Sequence, residues 1–307
     1  MTIDIIIPLY KPGKELFALL DQLNEQSVQA ENIILVNTEE KYFAQLTYGT
    51  RFFDKYKNVK VHHLSKKEFD HGRTRRMGVR KSQADVFVMM TQDAIPADNL
   101  LLERLTGQLK GDVAVAYARQ LPAEDCDVVE RYTRSFNYPA ESRVKSAEDL
   151  PQLGIKTFFC SNVCAAYQRA IYDELGGFVR KTIFNEDMIY AAGAVKAGYK
   201  IAYEAQACVV HSHNYTHMQQ LHRNFDLGVS QAEHPEVFAN VPSESEGLRM
   251  VKEVTRYLRT QKQLNRLPHF YVQCFCKYAG FLLGKNYRKL PAKWVLALTS
   301  NKDYWEK

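Results

Sequence analysis

The chain alternates short, nearly unbroken apolar runs with longer stretches in which apolar residues return every third or fourth position. Residues 4–10 (DIIIPLY) form such a run, and Leu16, Leu19, Leu20 and Leu23 then recur at helical spacing. Runs at 32–37 (NIILVN), 59–64 and 85–90 have the same character, with a polar, helical segment around 44–56 separating the second from the third. The fourth run follows a helix over 72–83, and another helix at 99–109 leads to a fifth strand at 113–117. Strands that are apolar throughout are covered on both faces, and their alternation with helices predicts a three-layer α/β sheet, mostly parallel.

After Arg119 the rhythm breaks. Residues 120–155 carry prolines and acids around one helical stretch, 128–136, and read as an irregular insertion. Segments 157–160 and 164–167 look extended, 168–175 helical, and Gly176-Gly177 supplies a left-handed cap. A helix over 186–196 opens with two acids, which suits its positive end. Short strands at 200–203 and 207–210 run into His211-Ser212-His213-Asn214. Beyond Thr216 the pattern is helical, with turn signals at Pro235, Pro242, Pro268 and Pro291. The pattern therefore divides into an α/β region, 1–216, and a C-terminal helical extension, 217–307.

Composition narrows the class. With 46% hydrophobic and 25% charged residues in 307, the chain is globular rather than disordered. The start has no basic lead and no apolar run reaches about 18 residues, so neither a secretory leader nor a membrane span is read, and the expected location is the cytoplasm. The six cysteines form no CxxC pair, which argues against a zinc knuckle or a disulfide framework and for reduced core residues. The net charge of +6 is C-terminal: residues 216–307 hold 14 Lys/Arg against 8 Asp/Glu, and from Arg249 the balance is 13 against 3. Such an excess points to an anionic surface. Residues 269–283 (HFYVQCFCKYAGFLL), followed by Lys285, Arg288, Lys289 and Lys293, suit a helix lying in a membrane interface, or one packed on the catalytic region or on a second subunit as a homo-oligomer. No nucleic-acid motif accompanies the charge.

Candidate chemistry starts at residues 69–93. A strand ending in Thr91-Gln92-Asp93 delivers polar groups to the edge where open α/β sheets bind ligands. Arg73, Arg75, Arg76, Arg80 and Lys81 lie along the preceding helix. Cations at its start oppose the helix dipole, a conflict that a bound phosphate would resolve; the plain alternative is a solvated basic face. Two further polar groups, Asn185-Glu186-Asp187 and His211-Ser212-His213, stand at a helix start and a strand end. Singly each is ambiguous, since caps and structural histidines are common.

In order and spacing these pieces resemble a family-2 inverting glycosyltransferase of the GT-A fold, over residues 3–216. The resemblance rests on IIIPLY, NIILVN, GRTRRMG at the family's Gly-x-x-x-Ala-Arg-Asn-x-Gly, TQDA at its Asp-x-Asp, the LGGF turn, the NED helix start and a strand ending in histidine. FDHGRTRR with VFVMMTQDAIP and HSHNYT is similar to the rhamnosyltransferase branch, which uses TDP-rhamnose to build cell-surface polysaccharide. The implied partners are a TDP-sugar donor and a lipid-linked or oligosaccharide acceptor.

The resemblance implies roles residue by residue. Pro8, Tyr10 and Asn37 line the nucleotide pocket, together with Gln92; Arg75 lies near the diphosphate. Asp93 binds a divalent cation, Mn²⁺ or Mg²⁺. Thr91 replaces the first acid of Asp-x-Asp, so Asp93 needs a second ligand, and His211 is the candidate, with His213 as the alternative. Asp187 is the general base. Glu186 orients the acceptor or Asp187 itself, while Ser161 and Asn162, read as preceding a helix, either bind acceptor hydroxyls or cap that helix. Asn37-Thr38-Glu39-Glu40 departs from the family's Asp-Asp-Gly-Ser, which alters contacts to base and ribose. Thr91 and Asn37 also keep open another nucleotide sugar or a catalytically inactive binding subunit. A nucleotidyltransferase is disfavoured, because Tyr10-Lys11-Pro12-Gly13-Lys14 is too poor in glycine for a phosphate loop.

Overall fold

The structure is a computed structural model that describes residues 1–239 and 244–306; the turn expected at Pro242 lies outside them. The first half runs β1 (Ile3–Tyr10), α1 (Glu15–Asn24), β2 (Asn32–Thr38), α2 (Glu40–Thr47), α3 (Phe52–Lys55), β3 (Val59–Leu64), α4 (His71–Lys81) and β4 (Val86–Met90). Next come β5 (Ile95–Pro96), α5 (Leu101–Thr106), β6 (Val113–Leu121), α6 (Val128–Asn137), β7 (Arg143–Lys145) and α7 (Leu150–Leu153). The α/β part is completed by β8 (Cys164–Gln168), α8 (Arg169–Glu174), α9 (Glu186–Lys196) and β9 (Lys200–Val210). The described residues then run through α10 (His217–Glu233), α11 (Pro235–Phe238), α12 (Glu244–Thr260), α13 (Leu267–Lys285) and α14 (Ala292–Leu298).

The strands form one nine-stranded sheet in the order β3-β2-β1-β4-β8-β6-β9-β5, with β7 added on β9. β3, β2, β1 and β4 are parallel, as is β6 with β9, whereas β8 runs antiparallel between β4 and β6. Alternation along β1 explains its apolar run: Ile5, Ile7 and Leu9 pack with Leu16, Leu19 and Leu20 of α1, while Ile6 packs on the other side with Val79 of α4. α4 approaches the sheet so closely that a Cβ at Gly78 would stand 2.4 Å from the Ile6 side chain.

Two expectations fail locally. Residues 157–160 are not extended, because a 3-10 turn spans Gly154–Phe158. The buried Lys145 ammonium holds that turn by donating to the carbonyls of Lys156 and Phe159 at 2.9 and 2.5 Å. The two short strands at 200–203 and 207–210 are one strand, β9, which absorbs a register shift against β6 between Ala118 and Arg119. The C-terminal helices pack back on the α/β layer. Phe225, Val229, Val295 and Tyr304 cluster with Ile183, and Val254, Leu258 and Phe270 with Val129 of α6.

Candidate active site

β4, β6 and β9 end side by side, and the antiparallel β8 begins there, so four connections meet at one edge of the sheet. Thr91 donates its backbone N–H to Val163, and His211 to Leu121, at 3.1 and 2.9 Å. The first group assembled at this edge is Asp93, His211 and His213. One carboxylate oxygen of Asp93 lies 3.5 Å from His211 Nε2, the other 3.2 Å from His213 Nε2, and the two Nε2 atoms are 3.1 Å apart. The His211 Nδ1 faces Gln120 Oε1 at 3.1 Å. An Nδ1–H donating there would leave the Nε2 lone pair for a cation held beside Asp93, whereas without a cation Nε2 faces the carboxylate as a hydrogen-bond donor. Three potential ligand atoms within 4.8 Å of one another, two imidazoles and one carboxylate, fit a divalent cation of the Mn²⁺ type. Burial pushes Asp93 up, but hydrogen bonds from His211 and His213 outweigh it and hold the carboxyl well below its ordinary range. Of the two histidines considered at sequence level, both face Asp93.

The second group is the acid pair that opens α9. Asn185 takes a left-handed conformation, φ 62°, which turns the chain so that Glu186 and Asp187 point into the same cleft. Glu186 is buried, 3.0 Å from Arg75 Nε and 3.9 Å from His71, and accepts from Asn162 Nδ2 at 2.9 Å. Asp187 accepts from the backbone N–H of Asn162 and of Met188 at 2.9 and 2.8 Å. Burial first, and then the neighbouring Glu186 charge, raise Asp187 to about 7. Burial also tends to raise Glu186, but the Arg75 charge and the hydrogen bond from Asn162 hold it below its ordinary value. The pair is thus split into a committed anion and a basic carboxylate, which is how neighbouring carboxylates acquire different roles. Burial keeps His71 neutral, its value lowered to about 4.

Several residues behave differently from the sequence reading. The start of α4 needs no phosphate, because Asp70 caps it, accepting from Gly72 and Arg73 N–H at 3.0 and 2.9 Å. The Arg75 guanidinium is directed to Glu186 and the carbonyl of His71. Arg76 ties α4 to the carbonyls of Gly176 and Phe178, leaving Arg73, Arg80 and Lys81 exposed. Ser161 and Asn162 precede a strand rather than a helix, so neither is a helix cap. Asn162 is spent on Glu186 and on Tyr167, which donates to it at 2.6 Å, and Ser161 Oγ accepts from Gln120 at 3.0 Å.

A first cavity of about 490 Å³ opens at the ends of β1 and β2, lined by Tyr10, Thr38, Lys66 and Phe69 among others. Tyr10 is therefore on it, but Asn37 is buried, with Nδ2 donating to the Glu39 carbonyl and 3.0 Å from His63 Nδ1; Thr38 is its cavity-facing neighbour. Pro8 lies within β1 and does not line this cavity. Gln92 stitches the end of β1, accepting from Tyr10 N–H at 3.0 Å and donating to its carbonyl at 3.2 Å. The second cavity, about 430 Å³, holds Asp93, His211, His213, Glu186 and Asp187. It also contains groups that the sequence reading passed over: His71, Gln120, Arg134, Tyr215, Arg223 and Lys277. His71 and Tyr215 stood inside quoted stretches, DHGR and HSHNYT. Arg223 and Lys277 carried no signal, since they belong to the basic helical tail.

Residues 4–176 match the family described as Glycosyl transferase family 2. The chain belongs to that family. It is 36% identical over 308 residues to the O-antigen chain rhamnosyltransferase RfbN of Salmonella typhimurium, covering 99% of this chain and 96% of that one. It is also 36% identical to the O-antigen chain rhamnosyltransferase WbaN of Salmonella anatum, covering 98% and 95%. Solved relatives share the fold at low identity. The mannosyltransferase PcManGT of Pyrobaculum calidifontis, in complex with GDP-Man and Mn²⁺, aligns with TM-score 0.57 at 14% identity, over 96% of this chain and 78% of that one. S. aureus TarS 1-349 aligns with TM-score 0.56 at 13% identity, over 97% and 83%. The protein is a glycosyltransferase with the GT-A architecture, as the resemblance implied, and the family-2 match stops before α9 and the C-terminal helices.

Proposed function

We propose that this glycosyltransferase moves L-rhamnose from TDP-rhamnose to a lipid-linked or growing cell-surface glycan, with inversion, and that a divalent cation assists it. The observation that carries the reading is the meeting, in one cavity, of a carboxylate poised as a base with an Asp-His-His cation site. An acceptor hydroxyl oxygen attacks the anomeric carbon as the bond from that carbon to the diphosphate breaks, and Asp187 takes the hydroxyl proton. Base catalysis of this kind contributes about 10²–10⁴-fold. A cation held by Asp93, His211 and His213 would supply positive charge for the departing diphosphate. Arg75, with the Asn162 side chain donating to the same carboxylate, keeps Glu186 ionised, and its charge keeps Asp187 basic. The substrate class follows the two 36% identical relatives, which are described as rhamnosyltransferases of the O-antigen chain.

In this reading residues 1–216 are the catalytic unit and residues 217–307 complete the cavity and meet an anionic membrane. No helix among the described residues is long and apolar enough to cross a bilayer, but α13 exposes Tyr271, Phe275, Tyr278 and Leu282 on one face. The protein then works as a peripheral enzyme on the cytoplasmic face of the membrane.

Purified protein incubated with Mn²⁺ or Mg²⁺ and a panel of nucleotide sugars should hydrolyse TDP-rhamnose slowly and in preference to UDP- and GDP-sugars. Equal or faster turnover of another donor overturns the donor assignment. Asp187→Asn should lower transfer at least about 10²-fold while donor binding changes little; wild-type turnover in that variant removes Asp187 as the base.

A further inference from the structure

We infer that Arg223 of α10 and Lys277 of α13 form the clamp for the diphosphate of the donor, an assignment that rests on the nucleotide-sugar reading above. A nucleotide sugar consists of two neutral ends joined by two anionic phosphates. The two cavities described above share one wall, made by His71, Phe184, Tyr215 and Arg223. A donor with its nucleoside at the ends of β1 and β2, and its sugar beside Asp187, must pass its diphosphate along that wall.

The other cations nearby are already committed. Arg75 is paired with Glu186 at 3.0 Å, Arg134 with Glu130 at 2.7 Å, and Lys66 with Asp303 at 2.8 Å. Among the described residues Arg223 has no carboxylate or carbonyl partner. Its guanidinium instead lies 4.7 Å from the Phe184 ring and 5.5 Å from the Tyr215 ring, which fix its plane and leave its N–H groups for a ligand. The Tyr215 ring packs in turn on His213, 4.9 Å between centroids. Arg223 is thereby set one ring away from the candidate cation site. Lys277 lines the same cavity and makes no hydrogen bond or ion pair among the described residues. Burial holds its ammonium below the ordinary value, with Cys274 and Glu130 opposing and Arg134 and Arg223 adding to it; an anion placed beside Arg134, Arg223 and Lys277 relieves the repulsion among them.

The fold fixes this pair firmly. α10 and α13 touch through glycines: a Cβ at Gly280 would meet the Leu221 carbonyl oxygen at 2.2 Å, and one at Gly284 the Phe225 carbonyl oxygen at 2.0 Å. Lys277 lies one and two helical turns before these glycines, hence on the face that α13 turns inward.

The test is calorimetric binding of TDP and of inorganic pyrophosphate to the full chain in Mn²⁺, for wild type, Arg223→Gln, Lys277→Gln and Arg223→Lys. Loss of a charge-assisted contact should weaken each ligand about 10–100-fold in the Gln variants, with Arg223→Lys retaining part of the affinity and steady-state KM for the donor rising in parallel. Wild-type affinity for TDP in both Gln variants overturns the clamp and leaves the transferase reading intact. If wild type ignores TDP but binds pyrophosphate through these two residues, the clamp stands and the thymidine donor falls. A rise confined to the acceptor's KM overturns the assignment by moving the pair to a phosphate on the acceptor. If Arg223→Gln melts early, Lys277→Gln and Arg223→Lys decide alone.

Discussion

Asp187 and Glu186 are consecutive acids with opposite fates, and the difference is what their neighbours offer. Glu186 receives Arg75, while Asp187 receives two backbone N–H groups and a negative neighbour. Since burial and Glu186 raise Asp187 to about 7, the base is lost as pH falls through that value, and kcat/KM should rise with pH along a limb near neutrality rather than near 4. A profile flat from pH 5 to 9 would sink this assignment. Glu186→Gln removes the repelling charge, so the same limb should move to lower pH. At the other end of the cavity, Gln120 orients His211 without reaching Asp93. Gln120→Leu should therefore weaken Mn²⁺ binding about 10–100-fold, read from the free-Mn²⁺ electron paramagnetic resonance signal, because groups that orient ligands typically contribute that much. Undiminished Mn²⁺ affinity in Gln120→Leu would argue that His211 does not bind the cation.

At the scale of elements, what could be read from the chain was whatever is written locally. β3 and α9 fall on the residues that their patterns predict, since an apolar run and a helix with acids first and a glycine after it are contiguous signals. The pairings that define the site are not contiguous. Asp70 caps α4 and also accepts from Thr182 N–H, and Arg75 finds Glu186, each more than a hundred residues away along the chain. That distance is why a row of arginines read as a phosphate site at the start of α4, although Arg75 and Arg76 are engaged by protein groups and Arg73 and Arg80 are exposed. The α10–α13 pair was equally hidden, because glycine spacing in an apolar helix has no meaning until the opposing backbone is known. Gly284→Ala should force the helices apart and destabilise the protein by about 1–3 kcal/mol, as overpacking does, with a fall in donor affinity as Lys277 moves. Urea unfolding together with donor binding checks it, and an unaltered midpoint would mean that the contact is slack.

For the molecule as a whole, α13 joins two environments. Its inward face carries Lys277, Gly280 and Gly284, and about 100° of advance per residue puts Tyr271, Phe275, Tyr278 and Leu282 together on the opposite side. Phe275 is 69% exposed and Tyr278 58%, and with Tyr271 and Leu282 they form one apolar face rather than scattered single residues. Lys285, Arg288, Lys289, Lys293 and Trp294 follow, all exposed. Aromatic rings at an interface and cations beyond them are the composition of a helix lying on an anionic bilayer, where apolar burial and charge attraction add. The full chain should therefore sediment with vesicles containing phosphatidylglycerol and not with neutral phosphatidylcholine vesicles. Added salt should weaken the binding, since part of it is screened. Phe275→Glu with Tyr278→Glu should abolish sedimentation, while kcat on a water-soluble acceptor stays near wild type because that face is turned away from the cavity. If the double variant still sediments, or if the wild type elutes as a dimer that the variant breaks, the aromatic face belongs to a second copy of the chain rather than to lipid.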